Sequence, residues 1–149
     1  MARAFRLQVV LDLAEQRLDA ATRELQRLRE RCTEAQSKLG QLKADAMQYA
    51  SDLGARLSQG LAAHQLNDYR LFLDKLERAM QAQSEEVERQ QRAWEEEHAR
   101  WSRLRQRQRS LLILAQRHHR TEAVVEARGE QKRQDEFGLK SVKDPPPRS

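Results

Sequence analysis

Little in this sequence bends, staples or encloses a chain. Among 149 residues there are five glycines and three prolines. The prolines form the single run Pro145-Pro146-Pro147, so nothing obliges a helix to break before that point. Turn clusters and β-branched runs are missing too, which excludes a core built from strands. One cysteine cannot form an internal disulfide. Aromatic residues make up 5% of the chain, too few for a large globular core. The longest apolar run, residues 111–115, is far shorter than the roughly 20 residues that span a bilayer. No extended hydrophobic stretch follows the N-terminus, so a cleaved secretory signal is not expected and a cytoplasmic address is the simplest fit.

Charge is plentiful instead. Charged residues account for 34% of the chain, with a net charge of +5. Only six of the 28 basic residues are lysine. An arginine bias is one mark of nucleic-acid or anionic-membrane contact. Arginine is also a good helix former whose stem covers apolar edges. Acids and bases alternate along most of the chain, as on a solvated helix surface.

What the sequence does hold is an uninterrupted 4-3 apolar stripe. It runs Leu7, Leu11, Ala14, Leu18, Ala21, Leu25, Leu28, Cys32, Ala35, Leu39, Leu42, Ala46, Tyr49, Leu53. Its mean step of about 3.5 residues is the period of a coiled-coil seam. Cys32 reads as a small buried apolar group on that seam. Gly40, inside the stripe, costs only about 1 kcal/mol. The first helix is expected over about residues 4–57, a rod of roughly 70 Å. Gly54, Ser58, Gly60, Asn67 and Asp68 then break the heptad and supply cap-type residues, which places a turn at about 58–66. A second helix is expected over about 67–137, ended by Gly138 as its C′ residue. Residues 141–149 should form a disordered tail.

The second stripe is Tyr69, Phe72, Leu73, Leu76, Met80, Val87, Trp94, Trp101, Leu104, Leu111 and Leu112, with polar Gln83, Gln90 and Glu97 at intervening seam positions. Folding back near Gly60 sets Leu53 near Asn67, Leu25 near Trp94 and Leu18 near Trp101. The tryptophans then cover small partners, so an intramolecular hairpin is preferred over a dimer. The fold class is therefore all-α: a long antiparallel two-helix coiled-coil hairpin with a disordered C-terminal tail. The second helix outruns the first beyond about Ile113. That overhang carries Arg117, His118, His119, Arg120, Arg128, Lys132 and Arg133 among acids, and a lone helix of this kind is marginal in water.

Catalysis needs groups that converge where water is excluded, and a two-helix rod offers no such place. Adjacent His118 and His119 point about 100° apart and cannot share one metal; His64 and His98 stand singly. Phosphate loops, nucleophile elbows and Cys-x-x-Cys pairs are missing. An enzyme is rejected, and neither metal nor cofactor is expected. The run Arg100-Trp-Ser-Arg-Leu-Arg-Gln-Arg-Gln-Arg109 is the most nucleic-acid-like segment. Its stripe of Arg100, Arg103 and Arg107 is expected to pair with Asp12, Glu15 or Asp19 across the hairpin, so no nucleic acid is expected. Near the turn, Tyr49, Tyr69 and Phe72 cluster. Phe72 flanks the seam and, with Leu42, Leu76 and Ala79, makes either a small binding patch or extra packing at the tip.

Three segments carry a family resemblance. They are Leu11-Asp-Leu-Ala-Glu15, Asn67-Asp-Tyr-Arg-Leu-Phe-Leu-Asp-Lys-Leu-Glu-Arg-Ala79 and Glu130-Gln-Lys-Arg-Gln-Asp-Glu-Phe137. In order, spacing and length the chain resembles the FliJ family, the soluble stalk of the bacterial flagellar type III export apparatus. The resemblance implies an antiparallel hairpin similar to the central stalk of rotary ATP synthases. Its terminal end would enter the pore of the export ATPase hexamer, with Arg117, Arg120, Arg128, Lys132 and Phe137 of the overhang as candidate contacts. The loop-proximal half would reach the FlhA-type export gate through Leu42, Tyr49, Phe72, Leu76 and Ala79. Lys38, Asp45 and Gln83 occupy further positions of that surface and depart from the family's residue types. Export chaperones are implied as partners, as is a peripheral place on the cytoplasmic side of the inner membrane, held through proteins. The stalk of a virulence injectisome shares the pattern. An arginine-rich helical nucleic-acid binder is the alternative of another class.

Overall fold

A computed structural model of the chain describes residues 2–143, with side chains from 6 to 140. It is all-α, an antiparallel hairpin of two long helices: α1, Ala2–Gln59, and α2, Ala63–Lys143. All fourteen stripe residues of α1 are buried or half-buried, and the positions between them are largely exposed. Leu11, Ala14, Ala21, Leu28, Cys32 and Ala35 are the most buried of them. A leucine taken fully out of water contributes about 1.5–3 kcal/mol, so this narrow line of contacts is what holds the helices together.

The seam of α2 keeps the same rhythm. Leu73, Leu76, Met80, Gln83, Val87, Gln90, Trp94, Glu97 and Trp101 are all half-buried, and Leu104, Gln108, Leu111, Ala115, His118 and Glu122 continue the 3-4 steps. Polar residues therefore hold full seam positions. From 123 to 140, the residues of α2 are exposed except Gly129.

Three residues, 60–62, separate the helices. Gly60 sits at φ +89°, the left-handed conformation that favours glycine, and its N–H donates to the Leu57 carbonyl at 3.3 Å. This is a glycine C′ stop. The opposite side of the turn differs from the sequence expectation. Asn67 and Asp68, read as caps, lie inside α2, which starts at Ala63. The Gln65 side chain accepts from the Ala62 N–H at 3.4 Å, half of a capping box without a hydroxyl partner. Ser58 is not a cap either: its hydroxyl donates to the Ala55 carbonyl within α1. Gly138 does not end α2. The helix runs through it to Lys143. The expected tail thus begins inside the helix, and residues 144–149 lie outside the described residues.

The described residues divide into two compact units: 19–103, which include the turn, and those up to 18 together with those from 104 onward.

Candidate partner-binding surfaces

The turn-containing unit holds an aromatic cluster. Tyr49 stands half-buried on the α1 seam and meets two rings of α2: Tyr69 at a centroid distance of 5.0 Å and Phe72 at 4.4 Å. The Arg56 guanidinium lies 5.7 Å from the Tyr69 ring centre, within cation–π range. Phe72 precedes the seam position Leu73, so its ring is pushed to the flank and remains 44% exposed. Leu42, Leu76 and Ala79 are half-buried. Of the five residues expected on this surface, Phe72 is therefore the one that faces water with a large apolar group. Met47, Leu57 and Leu71 are also exposed here. The sequence reading missed them because none falls on the seam.

Farther along the same unit, α2 presents a ladder of rings. His98 stacks on Trp94 at 4.9 Å and 23°, and lies 5.7 Å from Trp101. The spacing i, i+4, i+7 places all three on one side of a helix, a signal present in the sequence but read there only as two seam residues and a lone histidine. The Trp101 indole N–H donates to the Thr22 hydroxyl at 2.9 Å, and the Gln83 amide donates to the Ala35 carbonyl at 2.9 Å. Trp94 lines an open groove of 250 Å³ with Arg29, Cys32, Thr33, Gln36 and Gln91.

Charge is handled locally. Arg27 forks onto Glu24, and Arg89 onto Glu86, each three residues along its own helix. The Arg27 hydrogen bond holds the Glu24 carboxyl below its ordinary value of 4.5. Glu86 is lowered first by the Gln90 amide and then by Arg89. Arg100 does not reach an acid of α1, as the sequence reading expected. It approaches Glu97 of its own helix at 3.6 Å, because Glu97 occupies the seam-side position one turn back.

The terminal unit differs in character. Around buried Leu11, Ala14 and Ala115 it exposes Val9, Val10 and Leu13 on α1 and Leu112, Ile113 and Leu114 on α2. Arg117, Arg120, Arg128, Lys132 and Phe137 are all exposed, Phe137 at 77%, but they are strung along α2 and do not converge. His118 lies 3.1 Å from Glu122, and its ring centre is 6.4 Å from that of His119, with the planes 59° apart. Among the described residues, no group of three or more His, Cys, Asp or Glu is placed to hold a metal ion. No helix among them is long and apolar enough to cross a membrane.

Two paired helices with a partly exposed ring near their turn and an open groove beside Trp94 define an all-α helical hairpin whose candidate sites lie on its surface. The comparisons with known proteins place it further. The family model described as "Flagellar FliJ protein" matches residues 3–144, and the chain belongs to this family. It is similar to the flagellar FliJ protein of Salmonella typhi, with 28% identity over 152 residues covering 95% of this chain and 97% of that one. It is also similar to the flagellar FliJ protein of Escherichia coli (strain K12), at 25% identity over 142 residues with the same coverage of each chain. No solved structure matches the chain.

Proposed function

We propose that this chain serves flagellar protein export as a non-catalytic stalk that links the hexameric export ATPase to the FlhA-type export gate. In this role it also aids delivery of export chaperones and their cargo. Family membership over nearly the whole chain supports the flagellar role. The link to the gate rests on one observation above others, the Phe72 ring. It is 44% exposed, yet backed at 4.4 Å by Tyr49, which is itself fixed on the seam. An aromatic side chain held in place before binding loses little entropy when a partner covers it. Leu42, Leu76 and Ala79 supply the apolar surround.

In the terminal unit, the exposed basic residues Arg117, Arg120, Arg128 and Lys132, with Phe137, are the proposed contacts to the ATPase ring. A ligand that binds only the assembled hexamer promotes its assembly by mass action, so the chain raises ATP turnover without hydrolysing ATP itself. With such partners, its proposed place is the cytoplasmic side of the inner membrane.

The test is a titration of the gate's cytosolic domain with wild type and Phe72→Ala. Loss of an aromatic anchor should weaken binding by about tenfold or more, corresponding to roughly 1.4 kcal/mol. Melting should be nearly unchanged. Parallel losses of binding and thermal stability would make Phe72 a packing residue and remove the gate assignment.

A further inference from the structure

The terminal unit has two unlike flanks. On α1, Arg6, Val10, Leu13 and Arg17 each immediately precede a seam residue: Leu7, Leu11, Ala14 and Leu18. On α2, Arg107, Leu114 and Arg117 do the same before Gln108, Ala115 and His118. A position one before the seam lies about 100° round the helix from it. Because the helices run in opposite directions, that rotation carries both sets to the same side of the pair. All seven side chains are exposed, with Val10 at 39%, Leu13 at 46% and Leu114 at 50%. With exposed Ser110 and Thr121, which precede the seam residues Leu111 and Glu122, this flank holds four arginines, three aliphatic residues and two hydroxyls, with no acid.

Positions one after the seam form the other flank. There Asp12 and Glu15 of α1 accompany Arg105, Arg109, His119 and the exposed Leu112 of α2. Asp12 is held by a 2.9 Å hydrogen bond from Gln8, one turn earlier on the same flank. Asp12 and Glu15 thus stand on one side, and every charged residue of the opposite side is basic.

From this asymmetry we infer that the basic flank is a docking face for an anionic phospholipid surface. Two helices lying side by side offer a broad, shallow face. Arginines can reach lipid phosphates from it while valine and leucine enter the interfacial layer between them. A protein socket would be met by aromatic anchors and a groove; this flank carries no aromatic residue among those seven. Its apolar content exceeds what a phosphodiester backbone recognises, since phosphate contacts are made by charge and polar groups. With no helix among the described residues suited to crossing a membrane, such contact is peripheral. The inference goes beyond the export reading, and vesicle binding needs no export protein, so either can fail alone.

The experiment is co-sedimentation of the full chain with phosphatidylcholine vesicles and with vesicles containing phosphatidylglycerol, at low and high salt. The chain should bind only the anionic vesicles and release in high salt. Arg17→Gln with Arg107→Gln should weaken partitioning by roughly twenty- to thirtyfold, about fivefold per charge. Leu114→Ser should weaken it severalfold, and Arg105→Gln with Arg109→Gln on the other flank by much less. Helicity of each variant, read by circular dichroism, should equal that of wild type. Equal binding to neutral and anionic vesicles would overturn the proposal, as would equal losses from the two double variants. Binding to duplex DNA as tight as to vesicles, with vesicle binding unchanged by Leu114→Ser, would make the face a general polyanion site and also overturn it.

Discussion

Trp101 does two things at once: its ring fills a seam position, and its indole N–H donates to Thr22 at 2.9 Å on the facing helix. Bonds of this kind fix which turn of one helix meets which turn of the other. Trp101→Phe keeps most of the apolar area and removes the donor, so it should cost about 1 kcal/mol. Thermal melting should fall by roughly 2–4 °C for a chain of this size. An unchanged melting temperature would show that the bond adds nothing beyond packing. The seam position of Trp101 was legible in the sequence because it lies one heptad from Trp94. Its hydrogen bond was not, since Thr22 stands beside the α1 seam and has no periodic signature. The same is true of the His98 stack. Exposure of Phe72 was legible, because a residue that precedes a seam position must lie on the flank.

The two helices were legible as elements from the 4-3 stripes, whose members are the half-buried and buried residues of the structure. Boundaries were harder. Asn67 and Asp68 have the chemistry of caps, yet Gln65 caps Ala62 from within the first turn and lets α2 begin earlier. Gly138 resembles a stop, but a glycine ends a helix only where it turns left-handed, as Gly60 does. Opposite outcomes follow for alanine at two glycines. Gly60→Ala should destabilise by about 1 kcal/mol, because its φ of +89° strains any residue with a Cβ. Gly40→Ala, in mid-helix with open space around an added Cβ, should stabilise by about 0.5–1 kcal/mol. Thermal melts of the two variants should shift in opposite directions, and a shared direction would contradict this account of the turn.

Acid should loosen the same elements. Glu24 and Glu86 titrate below the ordinary value of 4.5, held there by Arg27 and by Gln90 with Arg89. A carboxyl whose pKa is depressed in the folded state adds stability above its unfolded value and loses it as pH falls through the folded one. Melting temperature should therefore be flat from about pH 8 to 6 and fall below about pH 4.5. Both carboxylates are half-buried beside solvent, which screens them, so their share is small. Glu24→Gln with Glu86→Gln should shrink the acid-side fall, and a fall of the same size in the double variant would assign it to other carboxylates.

At the scale of the whole molecule, the proposed function requires two partners to occupy different parts of one chain. The turn-containing unit carries the Tyr49–Tyr69–Phe72 cluster, and the terminal unit carries the basic overhang with Phe137. No pattern in the sequence alone marks either as a site. Tyr49 is at once a seam residue and a backing for Phe72, and the arginines of the overhang alternate with acids like any solvated helix. Family membership is what turns these surfaces into candidates. Truncation after residue 129 should therefore reduce stimulation of ATP hydrolysis by the export ATPase and leave gate binding intact.

The most direct test is a sedimentation-velocity experiment with the full chain, the export ATPase and the cytosolic domain of the gate in one cell. The account predicts a ternary complex that forms only when this chain is present. Phe72→Ala should release the gate and retain the ATPase, whereas truncation after residue 129 should do the reverse. Displacement of one partner by the other, with no ternary species at any ratio, would contradict the stalk.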